Sequence, residues 1–403
     1  MNKVIRIIAR LNVGGPAKHV SWVSDGLQKK NWPHILVHGA IEENEDDYGK
    51  QTQKLGLDMR LIPDLGRSIH PIKDLKVLWK IYALLRAQKP AVLHTHASKA
   101  GFVGRGAALI YNLFHRPKIK VVHTFHGHTF HGYFNPVMEI IFLRIERFLA
   151  RFATDRIITI SRQQQSEILG EFRVGKKSQH EIVPLGVDFT FSEELHKTKL
   201  RELNNIPLEH KVIGIVGRIA PVKNHPSFLR LCKKLERENP ELSFLVIGGG
   251  SQEDMQELKN YCEELGIERL RFAGNVENPR WIYGSLDVLV VTSKNEGTPV
   301  SILEAFACRI PGVSTRAGGT IDLIGENQER GYLVDQGNSQ DTELARCIQT
   351  ALASGRSDSK VQAAYEFVVA NYSVERLCED LDKLYLSVIP EATRDASFSN
   401  NKS

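Results

Sequence analysis

The sequence predicts an α/β protein of two domains, each built on a mainly parallel sheet with helices on both faces. Three observations carry that reading. The chain has 403 residues, more than one hydrophobic core usually serves. Short β-branched runs alternate with helical periods through the first half, the rhythm of βα units. A fresh buried-strand pattern then opens at Val212, after a charged, turn-rich stretch.

Val4 to Ala9 reads as a first, central strand, followed by Asn12-Val-Gly-Gly15-Pro16 and a helix from Ala17 to Lys30. Gly14 and Gly15 let the backbone approach a ligand, and the helix start offers N–H donors; a plain tight turn would use the same residues. Further strands are expected at His34 to Gly39, Asp58 to Ile62, Ala91 to Thr95, Ile119 to Thr124, Asp155 to Ile160 and Glu181 to Pro184. Helices are expected at Ile72 to Gln88, Lys99 to Phe114 and Pro136 to Arg156. The last of these carries Ile140, Ile141, Phe148, Leu149 and Phe152 as an apolar face, and Arg144, Arg147 and Arg151 repeat at i, i+3 and i+7. Lys73, Lys76 and Lys80 repeat the theme. Such stripes suit an anionic bilayer, and equally a core-facing helix with a solvated basic side.

Twelve of the fifteen histidines precede residue 190, and His94-Thr-His96 and His123-Thr-Phe-His126-Gly-His128 each follow a strand. No cysteine, H-x-x-x-H pair or suitably spaced carboxylate accompanies them, so a metal site is not expected. Hydrogen bonding to hydroxyls and phosphate suits them better.

The first domain is assigned to residues 1–187, a linker to 188–210 and the second domain to 211–372. Val212-Ile-Gly-Ile-Val-Gly217-Arg218 is a strand and tight turn, with Lys223 five residues on. Arginine offers a rigid fork and lysine a mobile charge for a diphosphate. Leu242 to Ile247 with Gly248-Gly-Gly250 repeats the strand-to-glycine turn, and Asn275 and Val276 stand in the run Arg271-Phe-Ala-Gly274-Asn-Val276. After the strand Asp287 to Val291 comes Asn295-Glu296-Gly297-Thr298-Pro299, with a helix starting at Pro299 and Glu304 just inside it. The two carboxylates accept hydrogen bonds from hydroxyls, and the helix start holds an anion. Pro311 to Ser314 and the loop Ala317 to Asp322 follow. A helix at 373–387 closes the chain ahead of a Ser- and Asn-rich tail, 391–403, expected to be disordered.

Composition excludes several classes. The protein is 42% apolar and 25% charged, an ordinary soluble balance, and its formal charge of +6 favours anionic ligands without demanding nucleic acid. Five cysteines without a C-x-x-C pair read as reduced residues of a cytoplasmic protein. The N-terminus is too short in apolar run and too charged for a signal peptide, and no apolar window reaches eighteen residues.

The pattern of Glu296, seven residues and Glu304 resembles the nucleotide-sugar motif of the retaining glycosyltransferases of family 4. That family has the GT-B fold, two Rossmann-like α/β/α domains facing a central cleft. The resemblance spans residues 4 to 387 and includes Gly217-Arg218 with Lys223, the Ile247-Gly-Gly-Gly250 turn and the Val-Val-His-Thr-Phe-His126 run. It implies that Glu296 and His126 meet the donor sugar, Glu304 meets the ribose, and Arg218 and Lys223 neutralise the leaving diphosphate. Gly14, Gly15, Gly248, Gly250, Asn275, Val276, Gly297, Thr298 and Pro299 become donor-binding candidates. His94, His96, Lys99 and His128 become acceptor-side candidates, and the 373–387 helix crosses back to the first domain. Cys308 and Asp322 depart from the family's usual glycine and glutamate, which leaves the diphosphate and ribose contacts in place.

The implied activity is transfer from a nucleoside-diphosphate sugar, a UDP-sugar in preference to a GDP-sugar, to a glycan or polyprenyl-linked acceptor in surface polysaccharide synthesis. No cofactor and no metal are expected; the one Asp-x-Asp, Asp380-Leu-Asp382, falls in the terminal helix. A location at the inner face of the cell membrane follows from the basic stripes. Two alternatives stay open: a non-hydrolysing nucleotide-sugar 2-epimerase, which needs no acceptor, and a non-catalytic nucleotide-sugar or polysaccharide-binding protein.

Overall fold

A computed structural model describes residues 2–12, 15–42, 47–66, 70–126 and 136–390. Gly14, His128 and the tail 391–403 lie outside the described residues. The chain divides into two compact units, residues 1–186 with 374–403, and residues 187–373.

The first unit holds β1 (Val4–Ile8), β2 (His34–His38), β3 (Asp58–Leu61), β4 (Val92–His96), β5 (Lys120–Thr124), β6 (Arg156–Thr159) and β7 (His180–Ile182). They form one parallel sheet in the order β3-β2-β1-β4-β5-β6-β7. Strand periodicity sends Ile5 and Ile7 to one face, against Val77, Ile81, Leu85 and Val103. Val4 faces the other way with Val92 and Val122, under Leu27, Trp32, Leu377, Leu381 and Tyr385. The last three belong to the closing helix, Val374–Val388, which completes this unit's core. Trp32 Nε1–H donates to Asp382 at 2.6 Å, and Asp380 pairs with Arg376, so both acids of the Asp-x-Asp are engaged in packing this helix.

The second unit holds β8 (Lys211–Val216), β9 (Leu242–Ile247), β10 (Leu270–Gly274), β11 (Val288–Val291), β12 (Gly312–Thr315) and β13 (Tyr332–Val334). All pair in parallel, in the order β10-β9-β8-β11-β12-β13. The sequence reading had not marked β13, whose three residues are too few to show a period. Residues 188–210 pack into this unit: Arg201, in the helix Lys199–Leu203, donates to Ser285 O and to Asp287. Charge and turn residues gave that stretch a linker's composition, but its arginine is spent on a neighbouring loop.

In both sheets the strand order reverses beside the first strand, between β1 and β4 and between β8 and β11. Loops leaving the two strands at that point diverge, which opens a ligand crevice at the carboxyl ends.

The helix Pro136–Phe152 differs from expectation. Of its expected apolar face only Leu149 is buried, while Ile140, Ile141, Phe148 and Phe152 are exposed. The inward side is fixed by a charge pair instead: Arg105, fully buried, donates from one nitrogen to both oxygens of Glu146, at 2.7 and 2.6 Å. None of the described helices is long and apolar enough to cross a membrane.

Removing one partner of such a pair strands the other charge in the interior. Glu146→Ala is expected to cost about 3–5 kcal/mol in urea unfolding. A loss under about 1 kcal/mol would show that Arg105 finds water or another acceptor.

Candidate active site

In the second unit the loops leaving β8 and β11 are stitched together. Thr292 Oγ1 donates to the carbonyls of Lys223 and Asn224, and Lys294 N to Val222 O. The stitching brings Lys223 Nζ to 2.6 Å from Glu296 Oε1, which also accepts from Ser293 Oγ at 2.6 Å. Glu296 is buried and Lys223 half-buried. Arg218 is exposed and has no ion-pair partner among the described residues. The Lys223 stem runs past the preceding glycine, so a Cβ on Gly217 would lie 3.7 Å from Lys223 Cε. Two cations and a carboxylate therefore share the switch point.

Glycine is required where the loop after β9 meets the loop after β8. Gly248 has φ 138°, and a Cβ there would lie 2.1 Å from Gly217 O; at Gly250 it would lie 2.7 Å from Ile219 O. Asn275 and Val276 follow β10 at the same end of the sheet, next to Gly249 in the case of Asn275. The helix after Gly297 and Thr298 is Val300–Ala307, one residue later than expected. Pro299, with ψ 105°, is extended and occupies its N-cap. Glu304, buried, accepts a hydrogen bond from Tyr283 Oη at 2.6 Å, and that carboxylate with burial raises the Tyr283 hydroxyl well above its ordinary pKa. Gly319 N donates to Glu296 O, tying in the loop that precedes Thr320–Ile324.

The first unit's counterpart is a histidine cluster at its own switch point. Gly15 begins the helix Gly15–Lys29, whose second turn carries His19. The β1–β4 register sets Arg6 beside His94 and Ile8 beside His96, on one face of the sheet. His96 Nδ1 lies 2.8 Å from His126 Nε2, and the ring centroids of His19 and His126 are 5.0 Å apart. His94 and His96 are fully buried and His126 is half-buried, so the first two reach a ligand only through the third. His123 points to the opposite face, where it meets Thr95 Oγ1 at 2.9 Å. Lys99 is taken up by Asp74, 2.9 Å away, with both side chains largely buried.

His19, His96 and His126 each bring one ring nitrogen within 4.8 Å of the others, spacing that a cation would use. Against it stands the Arg6 guanidinium, 2.9 Å from His96 Nε2, with no carboxylate ion-paired to it among the described residues. Burial, followed by Arg6, holds His126 down at about 3. Burial likewise pushes His19, His94 and His96 well below 6.5, with neighbouring histidines and Arg6 adding to it. These rings are neutral hydrogen-bonding groups at physiological pH.

Comparison with known proteins bears on this geometry. The model of "Glycosyltransferase Family 4" matches residues 13–191, and that of "Glycosyl transferases group 1" matches residues 196–367. An Escherichia coli UDP-Gal:alpha-D-GlcNAc-diphosphoundecaprenol alpha-1,3-galactosyltransferase is 31% identical over 280 residues, 68% of this chain and 70% of that protein. The chain belongs to the family 4 glycosyltransferases. The capsular polysaccharide biosynthesis glycosyltransferase CapM of Staphylococcus aureus is 26% identical over 377 residues, 91% of this chain and 93% of its own. Anabaena Alr3699/HepE, solved in complex with UDP, superposes with a TM-score of 0.79 at 18% identity, over 96% of this chain and 100% of that one. This glycosyltransferase has the GT-B fold, and it transfers sugar from a nucleoside-diphosphate sugar to an acceptor.

On the first unit of the glycosyltransferase, Lys73, Lys76 and Lys80 are exposed on the helix Pro71–Gln88, as are Arg144, Arg147 and Arg151 on Pro136–Phe152. Ile72, Leu75 and Trp79 are exposed beside the lysines. Sequence reasoning missed Arg6, His19, Ser293, Tyr283 and Tyr385. An arginine inside the apolar run Val4–Ile8 was the one visible signal, since a charge there needs a buried purpose.

The histidines carry a pH dependence. His126 has a folded pKa of about 3, below its ordinary 6.5, so the unfolded chain takes up the proton first. Its contribution to stability is complete above pH 6.5 and is lost as pH falls from 6.5 toward 3. Between about pH 7 and 5 this amounts to roughly 2 kcal/mol. Urea unfolding of the wild type is expected to show a steeper loss over that range than His126→Gln. Equal slopes would place the wild-type ring in water.

Proposed function

We propose that this glycosyltransferase is a retaining, metal-independent enzyme that moves sugar from a UDP-sugar to a polyprenyl-diphosphate-linked glycan in surface polysaccharide synthesis, working at the inner face of the cell membrane. The observation that carries it is the switch point of the second unit, where Lys223 pairs with the Glu296 carboxylate and Arg218 stands exposed on the same loop after β8. A departing diphosphate gains negative charge in the transition state, and preorganised cations there lower the barrier. Lys223 exchanges its contact with Glu296 for the phosphate, and Glu296 then accepts hydrogen bonds from the sugar hydroxyls. Glu304 takes the ribose, and Gly248, Gly250, Asn275 and Val276 leave room for the base.

The acceptor hydroxyl attacks the anomeric carbon from the side the diphosphate leaves. The C–O bond to phosphate breaks, and the acceptor's proton passes to a phosphate oxygen. His126 supplies a neutral contact to the transferred sugar. The E. coli relative's name specifies a UDP-sugar and a diphosphoundecaprenol-linked acceptor, and the Anabaena structure binds UDP. Both support the choice of donor, and the first supports the choice of acceptor.

Mass spectrometry of UDP-, GDP- and ADP-sugars incubated with membrane lipids and soluble glycans tests the assignment. A glycolipid one sugar heavier, formed from a UDP-sugar, is the expected product; turnover only of soluble glycans, or of donor alone, would contradict it. Arg218→Ala and Lys223→Ala should each lower kcat more than tenfold at saturating substrates, a loss of roughly 3 kcal/mol in transition-state stabilisation. Unchanged rates in both would remove them from the mechanism.

The membrane part rests on the outward face of the first unit, where Ile72, Leu75, Trp79, Ile140, Phe148 and Phe152 stand beside the lysine and arginine stripes. Apolar side chains enter the headgroup region while cations meet anionic lipid, each contributing about 1 kcal/mol. Flotation is expected with vesicles containing phosphatidylglycerol and to weaken with salt. Removing Arg144, Arg147 and Arg151 together should reduce it. Equal recovery with purely zwitterionic vesicles, or an unaffected folded triple variant, would reject this face.

A further inference from the structure

Arg6 is a cation buried in the middle of β1, fully inaccessible, with no carboxylate ion-paired to it among the described residues. Isolated buried charge is costly, so what its nitrogens bind is informative. NH1 lies 2.9 Å from His96 Nε2 and 3.2 Å from His94 Nδ1, and NH2 donates to Tyr385 Oη at 2.9 Å. Tyr385 Oη is in turn 2.6 Å from His94 Nδ1.

A guanidinium only donates, and this decides where the imidazole protons sit. His96 Nε2 must accept from Arg6, so neutral His96 carries its proton on Nδ1. That Nδ1–H points at His126 Nε2, 2.8 Å away, which must therefore accept. Neutral His126 is left with its proton on Nδ1, which has no partner among the described residues, and its ring, unlike those of His94 and His96, is only half-buried. The same logic makes His94 Nδ1 an acceptor and sends its Nε2–H to Thr124 Oγ1 at 2.7 Å. The rings stack along the path, at 4.3 Å between His94 and His96 and 5.0 Å between His96 and His126, both with 28° between planes.

We infer that Arg6 is a positioning residue which, through His96, fixes the His126 proton on Nδ1, so that His126 meets the donor sugar as a neutral N–H donor and never as an acceptor. The sugar as ligand rests on the function proposed above; the proton's place does not. Tyr385 holds the guanidinium at its other nitrogen. The closing helix thereby supplies a hydroxyl to the same network, 379 residues away in sequence. A ring free to choose its tautomer would present the donor only part of the time.

Nitrogen-15 NMR of the full chain carrying ring-labelled histidine tests this, because a protonated and an unprotonated ring nitrogen resonate far apart. The His126 signals are assigned by their loss in His126→Gln. In the wild type His126 should be the Nδ1–H form. In Arg6→Met, which keeps the bulk and removes the donors, it should shift toward Nε2–H, and kcat should fall about tenfold, the worth of one hydrogen bond. Tyr385→Phe leaves the donation from NH1 to His96 in place and should keep the His126 signals unchanged. A wild-type Nε2–H form, or unchanged His126 signals in folded Arg6→Met, would overturn the inference; the wild-type spectrum decides even if that variant does not fold. Full turnover in His126→Ala would instead sink the sugar contact in the proposed function and leave the tautomer result standing.

Discussion

The 2.6 Å contact between Lys223 Nζ and Glu296 Oε1 is the interaction on which the second unit's chemistry depends. It joins a cation on the loop after β8 to a carboxylate on the loop after β11, across the point where strand order reverses. Glycines at 248 and 250, on the loop after β9, let that loop meet the backbone of the β8 loop at Gly217 and Ile219. Ser293 Oγ donates to the same oxygen, which gives Glu296 an anchor besides Lys223. Burying a pair of this kind gains little net stability, and its worth lies in keeping both groups ready for a ligand that separates them.

The first unit solves a different problem by the same topology. Its switch point is lined with imidazoles that burial keeps neutral, and the Arg6 guanidinium meets them from the neighbouring strand β1. Neutral rings ordered by a permanent donor make a rigid hydrogen-bonding surface whose state does not change over the physiological pH range. The arrangement also explains why the chain returns to this unit at its end. The helix Val374–Val388 closes the apolar face over Val4, Val92 and Val122, and it brings Tyr385 to Arg6.

Much of the fold was legible because parallel strands buried on both faces are written as unbroken β-branched runs. Eleven of the thirteen strands were read from the sequence, Leu270–Gly274 and Tyr332–Val334 carrying too little pattern to register. The groups proposed for the donor side stood out for a related reason: Arg218, Lys223, Glu296 and Glu304 follow strands at short spacings. Pairing across long separations was not legible. Nothing local in Arg6 announces Tyr385, 379 residues on. For the helix Pro136–Phe152 the sequence left a bilayer-facing and a core-facing apolar side open, because amphipathic spacing is the same in both. There the Arg105–Glu146 pair takes the interior position, and Ile140, Ile141, Phe148 and Phe152 are turned out.

The central claim is that protein cations alone receive the diphosphate. Isothermal titration of the wild-type chain with UDP, in excess EDTA and in excess magnesium, tests it most directly. The account predicts the same dissociation constant in both. Binding that disappears in EDTA and returns with magnesium would contradict it.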